Sequence, residues 1–345
     1  GSRGSQRPMD DFVAVARRFW HPVARASDVE RGHVVAATLL DQRLAVWRDR
    51  DGGVQILEDT CPHRGTRLSL GGITNDDCLM CPYHGWKFDR HGTCVLIPQL
   101  PADRPIPGRA KVRSFRVSEH AGLVWTCLVD EPDEVRPRPT WDVAEQPSHW
   151  VHVGEVYDWD AQAFRQVENF CDVGHFSVLH TDTFGNPALQ TVEPYGVDLS
   201  DDGWRLSFDY PYTARNPAQD GVGAETFDMV FEYRLELPFT VALGNASGPG
   251  TVLCMASSPV SATRTRVFWI CAFPTGAEVD SVAYEALEAR IWEPDRKIVQ
   301  SQLPRWLPLD LREELQLPFD RLSVMYRRRL ADIGFPVVPA AQVAL

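Results

Sequence analysis

The first third of the chain alternates short apolar stretches with polar breaks, which is the pattern of paired β-strands. The apolar stretches are Val34 to Leu40, Leu44 to Trp47 and Val54 to Leu57, and the breaks are Asp41-Gln42 and Asp51-Gly52-Gly53. Turn-rich segments then lead to a last apolar strand, Gly122 to Val129. Residues of roughly 30 to 130 are therefore predicted to form a small all-β unit.

A proline-rich stretch separates this unit from the rest of the chain. Glu131 to Thr140 contains three prolines among charged residues and lacks apolar periodicity, which is typical of a domain boundary. We predict a first domain over residues 9–138, with an N-terminal helix, and a second over residues 139–345. The residues before Met9 are interpreted as an expression remnant.

The second domain mixes helical and strand-like spacing. Helical spacing extends over Ala161 to His180, over Val279 to Gln302 with Asp280 as the N-cap, and over Phe319 to Ile333. Between these helices, apolar and polar residues alternate as in long antiparallel strands. The strands are Trp204 to Tyr210, Phe227 to Tyr233 and Val267 to Cys271. The second domain is therefore predicted to be α+β, a twisted antiparallel sheet with helices on one side.

Composition and charge narrow the classes of function. The chain has 345 residues, 44% hydrophobic and 24% charged, which indicates a globular fold. With 35 basic and 47 acidic residues the net charge is -12, which disfavours nucleic acid or an anionic membrane as a partner. No apolar run reaches membrane-spanning length and no signal peptide is evident, so we expect a cytoplasmic protein with reduced cysteines.

Two short motifs in the first domain predict a metal cluster. Cys61-Pro-His63 and Cys81-Pro-Tyr-His84 each combine one thiol with one imidazole on a tight turn. A proline after each cysteine stiffens the turn, and a glycine soon after each histidine allows a positive φ. Two cysteines on one iron and two histidines on the other are the ligands of a Rieske [2Fe-2S] centre, a one-electron relay. We interpret the four side chains as ligands of such a cluster.

A structural zinc site is the main alternative, because it also uses two cysteines and two histidines. Zinc fingers usually pair Cys with Cys and His with His, whereas each motif here mixes the two residue types. Cys78 and Cys81 alone resemble a thioredoxin-type redox pair, but no strand-to-helix context follows them. Cys78 lies in an apolar stretch and is expected in the core.

A second polar group lies in the predicted helix from Ala161 to His180 and contains Asn169, Asp172 and His175. At 100° per residue, Asp172 and His175 are about 60° apart, but the step from His175 to His180 is about 140°. If both imidazoles bind one metal, the helix must bulge or end between them. A purely structural role for the two histidines is the alternative.

With both motifs, the chain resembles the oxygenase (alpha) component of Rieske non-heme iron oxygenases over nearly its whole length. The catalytic signature of that family is an acid or Asn, then Asp-x-x-His, then a second His. Asn169, Asp172, His175 and His180 match this signature. The resemblance implies an all-β Rieske domain and an α+β catalytic domain of the helix-grip type. The chain is most similar to alpha-only members such as vanillate O-demethylase, phenoxybenzoate dioxygenase and toluenesulfonate monooxygenase.

The resemblance also implies a mononuclear Fe(II) bound by His175 and His180. The third ligand in the family is a carboxylate far downstream on a helix, and we assign it to Asp295. Glu293 is the rival, and a solvated helix charge paired with a nearby Arg or Lys is the plain alternative for Asp295.

Asp172 and Asn169 are the catalytic candidates that the resemblance implies besides the metal ligands. In a head-to-tail homotrimer, Asp172 would join a cluster histidine of a neighbouring subunit, expected to be His84, to an iron ligand. An exposed helix acid is the alternative for Asp172.

Two histidines and one carboxylate leave coordination positions on Fe(II) free for the co-substrate O2. The electrons that reduce O2 have to come from another protein. Because the chain has no Gly-x-Gly-x-x-Gly fingerprint, we expect a ferredoxin or a flavin reductase that uses NAD(P)H. Seven basic residues stand against two acidic ones between Trp86 and Arg116, which favours an acidic donor, although scattered solvated charges are the alternative.

The expected reaction is monooxygenation of an aromatic or polycyclic small molecule, by C–H hydroxylation or by oxidative O- or N-dealkylation. Aromatic-ring cis-dihydroxylation is the second possibility. A Rieske-type electron carrier or a zinc-stabilised binding protein is the alternative from another class. The candidate pocket residues, for which plain core packing is the alternative, are Leu179, Phe184, Phe208, Phe227 and Met229.

Overall fold

The computed structural model describes residues 2–217, 225–245 and 250–339, and contacts divide the chain into two compact units. The first unit is Ala16–Arg138, and the second combines the residues up to Val15 with those from Pro139 onwards. Helix α1 (Ser2–Ala16) therefore belongs mostly to the second unit. The domain bounds 9–138 and 139–345 stay a prediction.

The first unit is built from three small antiparallel sheets, counted over the described residues. Their strand orders are β1-β10-β9, β2-β3-β4 and β5-β6-β7-β8. The strands are β1 (His21–Arg25), β2 (Val34–Leu39), β3 (Gln42–Arg48), β4 (Val54–Glu58), β5 (Gly72–Ile73), β6 (Leu79–Met80), β7 (Lys87–Phe88), β8 (Cys94–Leu96), β9 (Arg116–His120) and β10 (Leu123–Cys127). The all-β prediction for this region is confirmed.

The core of the first unit lies directly beneath the Cys/His motifs. Trp47, Leu57, Leu79 and Phe88 are fully buried in one apolar cluster that also includes Cys61 and Cys81. The strands thus hold the backbone on which the two cysteines sit. Cys78 is also buried, as predicted.

The second unit contains one antiparallel sheet of eight strands, counted over the described residues. Its order is β11-β18-β17-β16-β15-β14-β13, and β12 pairs with β18. The strands are β11 (His149–Val153), β12 (Tyr157–Trp159), β13 (Asp198–Leu199), β14 (Arg205–Arg215), β15 (Thr226–Glu236), β16 (Thr240–Asn245), β17 (Val252–Pro259) and β18 (Thr265–Pro274). The sequence prediction of a large antiparallel sheet is confirmed.

Besides α1, the helices of the second unit are α2 (Ala163–Phe170), α3 (Phe176–Leu179), α4 (Ser281–Ser301) and α5 (Arg321–Ile333), counted over the described residues. Asp280 caps α4 as predicted, because its carboxylate accepts hydrogen bonds from the amides of Val282 and Ala283. Among the described residues, no helix has the length and apolar character needed to cross a bilayer.

The helical segment predicted over Ala161 to His180 is interrupted, and the break lies before His175 and not between His175 and His180. The structure ends α2 at Phe170 and starts α3 at Phe176, so Cys171–His175 is a non-helical connection. The Asp172 side chain accepts hydrogen bonds from the amides of Gly174 and His175, and these bonds replace helical ones.

A buried ion network fastens α2 to the C-terminal part of the unit. Arg327 on α5 donates two hydrogen bonds of 2.7 Å to Glu168 on α2 and one of 2.7 Å to Glu314. Arg165 on α2 donates to the same Glu314 at 2.6 Å. Both guanidinium groups are buried, and removal of Arg327 would leave Glu168 without compensating charge.

Replacement of Arg327 by Met is expected to lower the free energy of unfolding by about 3–5 kcal/mol, since Glu168, whose side chain is only 14% exposed, would lose its partner. Urea unfolding of the full chain measures this change. The control Arg266→Met breaks the exposed pair with Asp158 and should cost less than about 1 kcal/mol. Equal costs for the two variants would show that the network does not hold α2.

Candidate metal centres

Two loops of the first unit have the same backbone design. We name them loop 1 (Cys61–Thr66) and loop 2 (Cys81–Trp86). In each, the amide of the cysteine donates to the carbonyl of the last residue at 2.8 Å. Gly65 and Gly85 have φ of 73° and 75°, which lets the chain reverse its direction. The amide of each glycine donates to the carbonyl of the cysteine in the same loop, at 2.9 Å in loop 1 and 3.0 Å in loop 2. The sequence prediction of two matching turns therefore agrees with the backbone.

The four predicted cluster ligands come together at the ends of these loops. Cys61 and Cys81 are buried, and burial, together with the nearby Cys81 thiol, raises the pKa of Cys61 to about 11. His63 and His84 are partly exposed, and their Nδ1 atoms lie 3.1 Å apart. The loops thus offer two sulfurs on the inner side and two facing imidazole nitrogens on the outer side. This donor set fits a Rieske [2Fe-2S] cluster.

Three donor atoms converge in the second unit. The Nε2 atoms of His175 and His180 are 3.1 Å apart, and each lies 3.4 Å from Oδ1 of Asp295. The two histidines flank α3, with His175 just before its first residue and His180 just after its last. Because neither histidine lies within α3, the 140° separation of an ideal helix does not apply.

Asp172 orients the first of these histidines. Its Oδ2 atom lies 2.7 Å from Nδ1 of His175, so this nitrogen carries the proton and Nε2 presents its lone pair to the other donors. Burial alone would raise the pKa of Asp172, but the hydrogen bond from His175 lowers it. The Asp172 side chain is nevertheless 31% exposed.

His180 is oriented by packing instead. Its ring stacks on Phe184 at a centroid distance of 4.9 Å and an angle of 28°. Among the described residues, its Nδ1 atom has no hydrogen-bond partner.

Asn169 contacts the carboxylate of the group. Its side-chain amide donates to Oδ1 of Asp295 at 3.2 Å, so this residue of α2 fixes an acid of α4. Of the candidates from the sequence, Asn169, Asp172, His175, His180 and Asp295 thus lie together.

Glu293, the rival carboxylate, lies elsewhere. Both of its oxygens bind Arg296 at 2.7 Å, and its side chain is 44% exposed. The Asp295 side chain is 11% exposed. Burial would raise the pKa of Asp295, but hydrogen bonds from His175 and His180 lower it to about 2. The converging group therefore holds an ionised acid, and the geometry favours Asp295 over Glu293.

The three converging atoms fit one divalent metal ion. Two imidazole nitrogens and one carboxylate oxygen occupy one face of such an ion and leave its other positions open, as in non-heme Fe(II) oxygenases. Zinc accepts the same donors in hydrolases, so these three residues alone do not select iron.

A cavity of about 1300 Å³ lies beside His180. Its lining includes Leu179, Tyr157 and Trp159, together with Trp292, which stands three residues before Asp295 on α4. Among the candidate pocket residues from the sequence, Leu179 lines it. Phe184, Phe208, Phe227 and Met229 do not belong to this lining, and Phe208 instead stacks on the buried Tyr233 at 4.6 Å.

Sequence reasoning missed most of the cavity wall, since β12 and α4 contribute residues that are distant in the chain. The only available signal was the spacing from Trp292 to Asp295, which places both on one side of α4. Trp292 is held by a hydrogen bond of 2.9 Å from its indole nitrogen to Glu288.

Family models match both units. One, described as a Rieske [2Fe-2S] domain, matches residues 19–116. The other, described as the vanillate O-demethylase oxygenase C-terminal domain, matches residues 159–334.

Similar proteins occur in Pseudomonas putida. Methylxanthine N1-demethylase NdmA is 32% identical over 336 residues, which cover 95% of this chain and 92% of that protein. The solved structure of NdmA with caffeine has a TM-score of 0.80 at 30% identity and covers 92% of this chain and 91% of its own. Oxidoreductase NdmD is 44% identical over 116 residues, 33% of this chain and 19% of that protein.

Replacement of Asp295 by Ala is expected to remove about one of about three irons per chain, because two imidazoles alone bind Fe(II) weakly. Iron analysis together with the absorption of the cluster distinguishes the two sites. The control Glu293→Gln should keep all the iron, since Glu293 is engaged with Arg296. The assignment of Asp295 is wrong if its variant keeps full iron or if Glu293→Gln loses one.

Proposed function

The chain belongs to the Rieske non-heme iron oxygenases with a C-terminal domain of the vanillate O-demethylase type, and from this premise we propose that it demethylates an aromatic or polycyclic small molecule. The methyl group would be carried by nitrogen or oxygen. The observation that carries the proposal is the convergence of His175, His180 and Asp295 beside a cavity large enough for such a molecule.

The proposed reaction balances as a monooxygenation. One oxygen atom of O2 enters a C–H bond of the methyl group, and the other leaves as water after uptake of two electrons and two protons. The resulting hydroxymethyl group on nitrogen or oxygen breaks down to formaldehyde and the demethylated product. N-demethylation is supported by the likeness to methylxanthine N1-demethylase NdmA.

We assign the metal ligands from the geometry of the two centres. Cys61, His63, Cys81 and His84 would hold the [2Fe-2S] cluster, and His175, His180 and Asp295 would hold Fe(II). The bound iron supplies O2 activation at positions left open by three protein ligands.

The surrounding residues act on these ligands. Asp172 keeps the proton of His175 on Nδ1, and Asn169 holds Oδ1 of Asp295 toward the two imidazoles. The ring of Phe184 covers one face of His180 and keeps water from it.

The substrate would lie in the cavity beside His180. Aromatic side chains of β12 and α4 supply apolar wall, and the rigid indole of Trp292 is fixed by Glu288. Asn186 and Thr183 line the same cavity and could hydrogen-bond heteroatoms of a ring.

Electrons would come from a ferredoxin or from a flavin reductase that uses NAD(P)H. Of the basic residues between Trp86 and Arg116, those that are exposed are suited to meet an acidic donor. They are Arg90, Arg104, Arg109 and Lys111. Arg113 is engaged with Asp130 at 2.9 Å, so it is a weaker candidate for docking.

We also propose a head-to-tail homotrimer in the cytoplasm. In it, Asp172 would bridge His175 to His84 of the partner subunit. The 31% exposure of the Asp172 side chain supports this role. None of the eight cysteines, which all lie within the described residues, forms a disulfide, and this suits a reducing compartment.

Incubation of the purified holoprotein with a surrogate reductase, NADH, O2 and a panel of N-methyl and O-methyl aromatic compounds tests the function. We expect at least one compound to give formaldehyde and demethylated product in equal amounts. A cis-diol without formaldehyde would contradict demethylation and indicate ring dihydroxylation.

Replacement of Asp172 by Asn is expected to keep both metals but to slow oxidation of the reduced cluster at least tenfold, because a neutral amide holds His175 less firmly. Single-turnover stopped-flow absorption with O2 and substrate measures this rate. The control Asp320→Asn removes another nearby acid, whose pKa is raised by burial and also by the Asp172 charge. Equal rates for Asp172→Asn and the wild type would exclude the bridge.

A further inference from the structure

We propose that Trp86 is a positioning residue for the cluster: its indole comes from loop 2, stacks on His63 of loop 1 and fixes that imidazole. The inference rests on the proposed function in one respect, since it takes His63 to be a cluster ligand. It assigns to Trp86 a task beyond filling the core.

The ring geometry is that of a close parallel stack. The centroids of Trp86 and His63 are 4.7 Å apart, and the ring planes differ by 11°. Among the described residues, no ring of the opposite loop forms a parallel stack on the other imidazole, His84. Tyr83 contacts His84 at 3.9 Å and 40°, but it is the adjacent residue of the same loop and is 64% exposed. Of these two contacts, only the one between Trp86 and His63 joins one loop to the other.

Trp86 is itself held firmly. Its carbonyl accepts the hydrogen bond from the amide of Cys81 that closes loop 2, and its side chain packs against the buried core under both loops. At the preceding residue, Gly85, φ is 75° and a Cβ would lie 3.3 Å from Pro98. Loop 2 therefore has little freedom to shift, and the indole gives His63 a fixed surface.

The stack acts on His63, whose ring must keep a fixed orientation to bind the cluster. The Nδ1 atoms of His63 and His84 are 3.1 Å apart, so a rotation of His63 would move its lone pair away from a shared iron. Besides fixing the angle, the indole keeps water from one face of the imidazole. Because reduction makes the cluster more negative, added water favours the reduced form and raises the reduction potential.

The chain offers well-matched variants. Among the described residues, the indole nitrogens of Trp86 and Trp47 have no hydrogen-bond acceptor, so Phe at either position loses no hydrogen bond. Trp47 belongs to the same core and makes no ring contact with either cluster histidine within the described part of the chain. Trp86→Phe keeps an aromatic face, Trp86→Leu removes it, and Trp47→Leu tests general loosening of the core.

The experiment measures the electron paramagnetic resonance spectrum and the midpoint potential of the cluster in each full-length holoprotein. For Trp86→Leu we expect altered g-values and an equilibrium constant for reduction of the cluster that is at least tenfold larger. This corresponds to a rise in the midpoint potential of about 59 mV for one electron. In Trp86→Phe and Trp47→Leu the equilibrium constant for reduction should stay within threefold of the wild-type value. Loss of the cluster from Trp86→Leu alone, with the other two variants loaded, would also support the inference.

Three results would overturn the inference. The first is a cluster in Trp86→Leu with the g-values and midpoint potential of the wild type, and the second is a change in Trp86→Phe as large as that in Trp86→Leu. The third is an equally large change, or loss of the cluster, in Trp47→Leu. Failure of the underlying assignment of His63 as a cluster ligand is distinguishable, since the wild-type protein would then lack a Rieske signal altogether.

Discussion

The convergence of three donor atoms from distant parts of the chain is the constraint on which the second unit depends. His175, His180 and Asp295 bring an ionised acid and two imidazoles within 3.4 Å of one another in a largely buried place. Such a group is costly to bury without a cation, and it needs rigid support. The support comes from α2 and α4, because Asn169 joins them and the Arg327 network ties α2 to α5.

The ligand-bearing segments could be predicted from sequence where local spacing determines them. Loops 1 and 2 are short turns whose proline and glycine positions specify the backbone, and Asp280 caps α4 by a local rule. The break after Phe170 was not predicted, since it depends on Asp172 replacing helical hydrogen bonds. The choice of Asp295 over Glu293 and the wall of the cavity depend on tertiary packing, which apolar spacing does not encode.

Both candidate centres share one principle of support, in which residues of the motifs hold the proposed ligands. Asp172 stands three residues before His175 and accepts a hydrogen bond from its Nδ1, whereas Asn169 donates to the carboxylate of Asp295. Trp86 stands two residues after His84 but stacks on His63 of the other loop. The motifs therefore contain the proposed ligands together with the residues that support them, which explains why so few residues predict so much of the proposed chemistry.

The central claim is that His175, His180 and Asp295 hold one isolated iron ion, apart from the paired irons at loops 1 and 2. Anomalous X-ray diffraction at the iron edge from crystals of the holoprotein tests it most directly. The account predicts a single iron peak in contact with Nε2 of both histidines and Oδ1 of Asp295, besides the cluster peak. An iron-loaded crystal with no peak there, or with one at Glu293, would contradict it.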